Sequence, residues 1–82
     1  MPEPLSATFG RIVRQHRETL GLSQEQLGEQ TNLSRNYIGM VERGETNLTL
    51  LVLRSLARAL NTTMTVLIDQ LEADLGPGET KR

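Results

Sequence analysis

The stretch QEQLGEQTNLSRNYIGMVER, residues 24–43, decides the fold of this 82-residue chain. It predicts two short helices joined by a tight turn. Ser23 is placed to cap the first of these helices, and Gln26, three residues further on, completes a capping box. Asn32 falls where the chain must turn, because Asn tolerates the left-handed conformation better than most residues. Ser34 then caps the second helix of the pair.

Apolar residues at helical spacing predict how this pair of helices packs. Leu27 faces inward from the first helix, and Leu33 is expected to be the buried residue of the turn. Ile38 and Val41 face back from the second helix, which Gly44 ends as a C-terminal cap. One side of the second helix is therefore free of apolar bulk and suits insertion into a groove. That side carries Arg35, Asn36, Gly39 and Arg43.

An amphipathic stretch before the pair predicts a further helix at the start of the chain. Residues 1–5 are expected to be frayed by their two prolines, and Ser6 is placed to cap a helix that runs to about Leu20. Its inner stripe is expected to consist of Phe9, Val13, His16 and Leu20. His16 is the only histidine of the chain, and its place on this stripe favours a packing role over catalysis.

Two more helices are predicted after the central pair. Thr49 caps a fourth helix that ends near Leu60, and Thr63 caps a fifth that ends near Leu75. Leu51 lies on an outer face of the fourth helix, either as a lone exposed residue or as part of a partner surface. The inward residues of the fourth helix are expected to be Leu50, Leu53, Leu56, Ala57 and Leu60.

The composition is that of one small all-α domain. The chain has one Phe, one Tyr and no Trp, so Leu, Ile, Val and Met must build the core. No strand-like alternation occurs, and the pattern predicts a compact five-helix domain over residues 1–75, followed by a disordered tail at 76–82. The absence of Cys excludes disulfides and thiolate metal sites. No membrane span or signal peptide is evident, so the expected location is the cytoplasm.

The net charge of −1 is not the basic balance typical of nucleic-acid-binding proteins, but its distribution is uneven. Residues 1–60 hold seven Arg against six acidic residues, whereas residues 61–82 hold two basic residues against four acidic ones. The excess of acid therefore lies away from the central pair of helices. The cations near that pair are all Arg, which suits forked contacts to phosphate and guanine.

Three segments occur in the order typical of one protein family: LSQEQL at 22–27, NLSRNYIGMVERG at 32–44 and NLTLLVLRSLARAL at 47–60. Over about residues 9–71 the chain resembles the Xre family of helix-turn-helix regulators, the lambdoid phage repressor and Cro type. Within that family it looks most like the controller proteins of restriction–modification systems. The resemblance implies a lambda-repressor-like fold, no cofactor, and a homodimer that binds double-stranded DNA at a roughly palindromic operator.

The resemblance also implies roles for single residues. The second helix of the pair becomes the recognition helix, in which Arg35 and Asn36 have the side chains that pair with guanine and adenine edges. Met40 is either a probe of a thymine methyl group or a half-buried neighbour of the core. Arg17 is expected to pair with Glu42, either as a buried lock between helices or as a solvated surface pair. Contacts to the DNA backbone are expected from Gln24, Ser34, Tyr37, Arg43 and Asn47.

The fifth helix carries more apolar residues than one stripe into a small core requires. Surplus apolar surface indicates a partner, and in the Xre family this region often forms the two-fold interface. The dimer interface is therefore expected to use Val66, Leu67, Leu71 and Leu75.

Two other interpretations compete with a DNA-binding regulator. The antitoxin of a toxin–antitoxin pair also binds its own operator, and it would use the apolar fifth helix or the tail to bind a small protein partner. An enzyme is not expected, because the sequence lacks the residues that catalysis commonly uses. It has one His and no Cys, and it shows no phosphate-cradling Gly loop and no metal-ligand cluster.

Overall fold

The computed structural model describes residues 4–76, which form five α-helices. These are α1 Pro4–Thr19, α2 Gln24–Thr31, α3 Arg35–Glu42, α4 Leu50–Ala59 and α5 Met64–Leu75. No strand occurs in this range, so the predicted all-α class and the number of helices are confirmed. The predicted disordered tail lies, apart from Gly76, outside the described residues, as do residues 1–3.

Side-chain caps determine where four of the helices begin. The hydroxyl oxygen of each cap accepts a hydrogen bond from the backbone N–H three residues further on. The predicted caps are all confirmed, and they are Ser23, Ser34, Thr49 and Thr63. Ser23 also donates its own N–H to Oε1 of Gln26 at 2.8 Å, which completes the predicted capping box.

Left-handed residues end the helices and turn the chain. At the end of α3, the N–H groups of Gly44 and Glu45 donate to carbonyls of the last turn, the paired bonds of a Schellman motif. The corresponding positions after α1 and α4 are occupied by Gly21 and Asn61, at φ 73° and 60°. Asn32, between α2 and α3, has φ 62°. The predicted roles of Asn32 and Gly44 are therefore confirmed.

The core contains one or more residues from each helix. It buries most of the predicted inward residues, together with Leu67 and Leu71 of α5. Leu33 is half-buried at the edge of this cluster, where it closes the turn between α2 and α3. His16 is also half-buried, and its Nε2 lies 2.7 Å from Oε1 of Gln70, so it joins α1 to α5. The predicted core residues that are confirmed are Phe9, Val13, Leu27, Ile38, Val41, Leu53, Leu56, Ala57 and Leu60.

Three predictions at the ends of helices are wrong. The first helix begins at Pro4 rather than after a Ser6 cap. Proline is tolerated in a first turn because its missing N–H would have no helical partner there. Leu20 and Leu50 are 45% and 76% exposed, since Leu20 follows the last residue of α1 and Leu50 is the first residue of α4. Ile12, which is 2% exposed, completes the inner face of α1.

Gly10 allows α1 to approach α3 closely. A Cβ atom at Gly10 would overlap the backbone carbonyl oxygens of Val41 and Glu42. Any side chain at this position would therefore push α1 away from the last turn of α3.

Within residues 4–76, no single helix is both long and apolar enough to cross a membrane. Taken together, α4 and α5 meet the criteria of length and composition, but they are bent by 102° at their junction.

The Gly10 contact leads to a stability prediction. Gly10→Ala is expected to lower the free energy of unfolding by about 1–3 kcal/mol, the usual cost of overpacking, although Ala favours a helix by about 1 kcal/mol over Gly. Urea denaturation measures this change. Gly39→Ala is the matched control, because a Cβ at Gly39 meets first the flexible end of the Arg43 side chain. Equal stability of the two variants would contradict the close contact between α1 and α3.

Candidate nucleic-acid interface

A bidentate ion pair ties α1 to α3. Nε of Arg17 donates to Oε2 of Glu42 at 2.6 Å, and Nη2 donates to Oε1 at 3.1 Å. The two side chains are only 11% and 4% exposed, so the pair is buried rather than solvated. The hydrogen bond to Glu42 raises the pKa of Arg17 above its ordinary value, although burial opposes that shift. Arg17 therefore stays charged at any physiological pH.

Two further groups converge on this ion pair. Nη1 of Arg17 donates to the carbonyl oxygen of Leu22 at 2.8 Å, and Nε2 of Gln24 donates to Oε1 of Glu42 at 3.0 Å. One network thus holds α1, the loop before α2, the first residue of α2 and the last residue of α3. Within the described residues, every buried side-chain nitrogen and oxygen has a hydrogen-bond partner.

The exposed side of α3 forms part of one concave, polar surface. This reading surface encloses about 310 Å³ and is lined by Gln24, Arg35, Asn36, Gly39 and Arg43. Arg35 and Asn36 are predicted to contact bases, and Gln24 and Arg43 to contact the DNA backbone. These four residues are thus neighbours in the fold.

The other predicted contact residues lie outside the reading surface. The hydroxyl oxygen of Ser34 accepts from the N–H of Tyr37 at 3.0 Å, as a helix cap. Tyr37 is half-buried and packs against the core, and Met40 is also half-buried. Asn47 is exposed in the segment before α4 and borders a different cavity.

Arg43 is braced at the end of α3. Its Nε donates to Oε2 of Glu45 at 3.0 Å, and this hydrogen bond raises the pKa of Arg43. The guanidinium group folds back over Gly39, such that a Cβ atom at Gly39 would lie 2.9 Å from Nη1. This arrangement was not predicted from the sequence. The signal for it is the glycine four residues before the arginine, on the same side of the helix.

A second exposed surface is apolar. We define the apolar face as Leu5 of α1, Leu50 of α4 and Ile68 of α5, which are 46%, 76% and 39% exposed. These residues border a cavity of about 260 Å³, whose other lining residues include the core residues Phe9 and Leu53. Leu50 and Ile68 also line an adjoining cavity along the first part of α5.

Two of the four residues of the predicted dimer interface are buried in the core. Leu67 is fully buried and Leu71 is 8% exposed within a single chain, so both belong to the core and are not available to a second chain. Leu75 is half-buried and also packs against the core. Val66 alone of the four is well exposed, at 42%. The surplus of apolar residues on α5 predicted a partner surface, but Leu67 and Leu71 pack into the protein's own core.

Comparison with known families identifies the fold. The helix-turn-helix family HTH_3 matches residues 13–67, a span that includes α2, α3 and the ion pair that supports them. The chain belongs to the Xre-type helix-turn-helix family. The predicted family resemblance is thereby confirmed.

Relatives within this family include restriction–modification controller proteins. Control protein C.SmaI of Serratia marcescens is 54% identical over 56 residues, which cover 68% of this chain and 67% of that protein. The crystal structure of the controller protein C.AhdI from Aeromonas hydrophila has a TM-score of 0.73 at 41% identity, covering 74% of this chain and 92% of that one. The controller protein C.Esp1396I has a TM-score of 0.78 at 28% identity, covering 87% and 92%.

The buried ion pair yields a second stability prediction. Arg17→Met is expected to lower the free energy of unfolding by about 3–5 kcal/mol, because Glu42 would be left charged and buried. Arg14→Met is the matched control. Arg14 pairs with Glu18 on the same helix at 3.0 Å, but these side chains are 62% and 53% exposed. Its loss should therefore stay below about 1 kcal/mol.

The double variant Arg17→Met/Glu42→Met shows whether the stranded charge causes the loss. It is expected to be more stable than Arg17→Met alone, because neither charge then remains without a partner. Chemical denaturation of the four proteins measures both effects. Equal losses for Arg17→Met and Arg14→Met would show that the buried pair contributes no more than a surface pair.

Proposed function

We propose that this protein is a sequence-specific DNA-binding transcriptional regulator that acts as a homodimer on a roughly palindromic operator. Its place among relatives named as control and controller proteins favours a restriction–modification controller. The observation that carries the proposal is the reading surface, which gathers polar side chains on the exposed side of α3. The regulator would act in the cytoplasm and requires no cofactor.

In this proposal α3 is the recognition helix and enters the major groove, which is wide enough to admit an α-helix. Arg35 and Asn36 are exposed in its first turn. Among residues 4–76, no hydrogen bond or ion pair engages either side chain, so both are available to base edges. Arg35 matches the two acceptors of guanine, and Asn36 the donor and acceptor of adenine. Met40 adds an apolar contact to a thymine methyl group.

Contacts to the DNA backbone would surround this helix. Gln24 is the first residue of α2, where free helical N–H groups attract phosphate. Its amide group carries a second hydrogen besides the one donated to Glu42. Ser34, Tyr37 and Asn47 lie at the start of α3 and in the segment that follows it. Because the net charge is −1, affinity for non-specific DNA should be modest.

The apolar face is the proposed dimer interface. A two-fold dimer uses the same patch on both chains, so exposed residues such as Leu50 and Ile68 would meet their own copies or each other across the axis. Pairing the two chains lets two recognition helices meet successive major grooves, about 34 Å apart. In this proposal the concentration of dimer sets the occupancy of the operator.

The dimer proposal is tested by two neighbouring leucines of α4. Leu50→Glu is expected to make the protein monomeric at micromolar concentration, because it places a charge within the apolar face. Leu51→Glu is the matched control. It changes a residue of almost equal exposure, 74% against 76%, that borders a cavity on another side of α4. Sedimentation velocity over a concentration series measures the assembly state.

A wild-type protein that stays monomeric throughout this series would contradict the dimer proposal. It would also favour the antitoxin alternative, in which a different protein covers the apolar face. Dissociation by Leu51→Glu but not by Leu50→Glu would move the interface to the side of α4 that carries Leu51.

The readout proposal is tested at Arg35. The probe is an operator duplex enriched from random DNA by the wild-type protein, with single base pairs substituted. Arg35→Ala is expected to lose about 1–3 kcal/mol per half-site on this operator and to relax the preference at one base pair. Arg54→Ala, a change of an exposed Arg on α4, is the control and should leave the preference unchanged. If Arg35→Ala weakens all duplexes equally, Arg35 contacts only phosphate.

A further inference from the structure

Gly39 lies beneath a guanidinium group. Apart from its chain neighbours and the nearby backbone of α3, the three atoms closest to a Cβ atom at Gly39 all belong to Arg43, with Nη1 at 2.9 Å and Cζ at 3.7 Å. The guanidinium therefore rests directly against the helix backbone. At Gly10, by contrast, backbone atoms of α3 leave no room for a side chain. A glycine inside a helix lowers the stability of that helix by about 1 kcal/mol relative to Ala. At Gly39, the absence of a side chain leaves room for the guanidinium of Arg43.

Glu45 holds the Arg43 side chain in this position. Its Oε2 accepts from Nε at 3.0 Å, which leaves both terminal Nη groups of the guanidinium free to donate elsewhere. The backbone of α3 and the carboxylate of Glu45 thus position the side chain from two directions, and the side chains of this pair remain 55% and 52% exposed. An arginine that is ordered in advance loses less side-chain entropy on binding.

The direction of the Arg43 side chain distinguishes two kinds of DNA contact. Its Cα lies at the end of α3, which is the reason that the sequence favours a contact to the DNA backbone. The guanidinium, however, is carried back by one turn and shares the reading surface with Arg35 and Asn36. The Glu45 carboxylate also offsets part of its charge, which weakens attraction to phosphate but keeps the directional N–H donors.

We propose that Arg43 is a second base-reading residue, seated on Gly39 and braced by Glu45, and that its target is guanine. This inference rests on the proposed DNA-binding function and adds a determinant of its specificity. Guanine presents O6 and N7 in the major groove, and the end of a guanidinium group donates to both at once. A lysine carries the same charge but lacks this planar fork.

The test compares Arg43→Lys and Gly39→Ala with the wild-type protein and with Arg54→Lys as the control. Each protein enriches binders from a pool of random double-stranded DNA, and the bound sequences are counted. Arg43→Lys is expected to lose about tenfold of the guanine preference at one position in each half-site, while the salt dependence stays unchanged. Gly39→Ala should relax the same position, because the new methyl group displaces the guanidinium, and urea denaturation should show no loss of stability.

Each remaining outcome overturns part of the inference. If Arg43→Lys leaves the preference unchanged at every position, Arg43 contacts phosphate, and the inference fails while DNA binding stands. If Gly39→Ala relaxes a different position or none, Gly39 is not the seat of the reading side chain. If the wild-type protein enriches no sequence, the proposed function itself fails.

Discussion

The buried pair between Arg17 and Glu42 is the interaction on which the arrangement of the reading surface depends. A helix of eight residues, such as α3, is not stable alone in water, so its direction must come from its neighbours. One carboxylate at its last residue accepts two hydrogen bonds from α1 and one from Gln24 at the start of α2. Gly10 lets the α1 and α3 backbones approach closely enough for this network to form.

This network fixes the geometry that DNA recognition needs. Base edges and phosphates hold fixed positions in a duplex. The helix that reads bases and the helix that contacts phosphate must therefore keep a constant relative position and orientation. Glu42 fixes the position of α3 relative to α2, because it is the last residue of α3 and accepts a hydrogen bond from the first residue of α2. A buried ion pair is a poor source of stability compared with apolar packing of similar volume. We infer that this pair is retained here for orientation more than for stability.

Local signals account for what the sequence could predict. The four hydroxyl caps, the left-handed Asn32 and the Gly44 end each depend on a few adjacent residues, so they are readable before any tertiary contact is known. The inward stripes of α2 to α4, apart from Leu50, follow in the same way. The predicted start of α1 is wrong because Pro4 and Ser6 are both suited to begin a helix. The helix begins at Pro4.

Contacts between distant segments account for what the sequence could not predict. The surplus of apolar residues on α5 does not say that Leu67 faces the protein's own core rather than a second chain. Spacing also placed Leu50 inward, but this residue is exposed because it is the first of α4. The contact of Gly10 with α3 and the folding of Arg43 over Gly39 depend on approaches that no spacing encodes.

The most direct test of the central claim, that α3 reads the major groove on two half-sites, is methylation interference at guanine N7. This atom faces the major groove, so a methyl group on it blocks a helix that lies there. On a duplex enriched by the protein, interference is expected at guanines in two clusters about one helical turn apart, roughly 10 base pairs. Binding that tolerates N7 methylation throughout the site would contradict the assignment of α3 as the recognition helix.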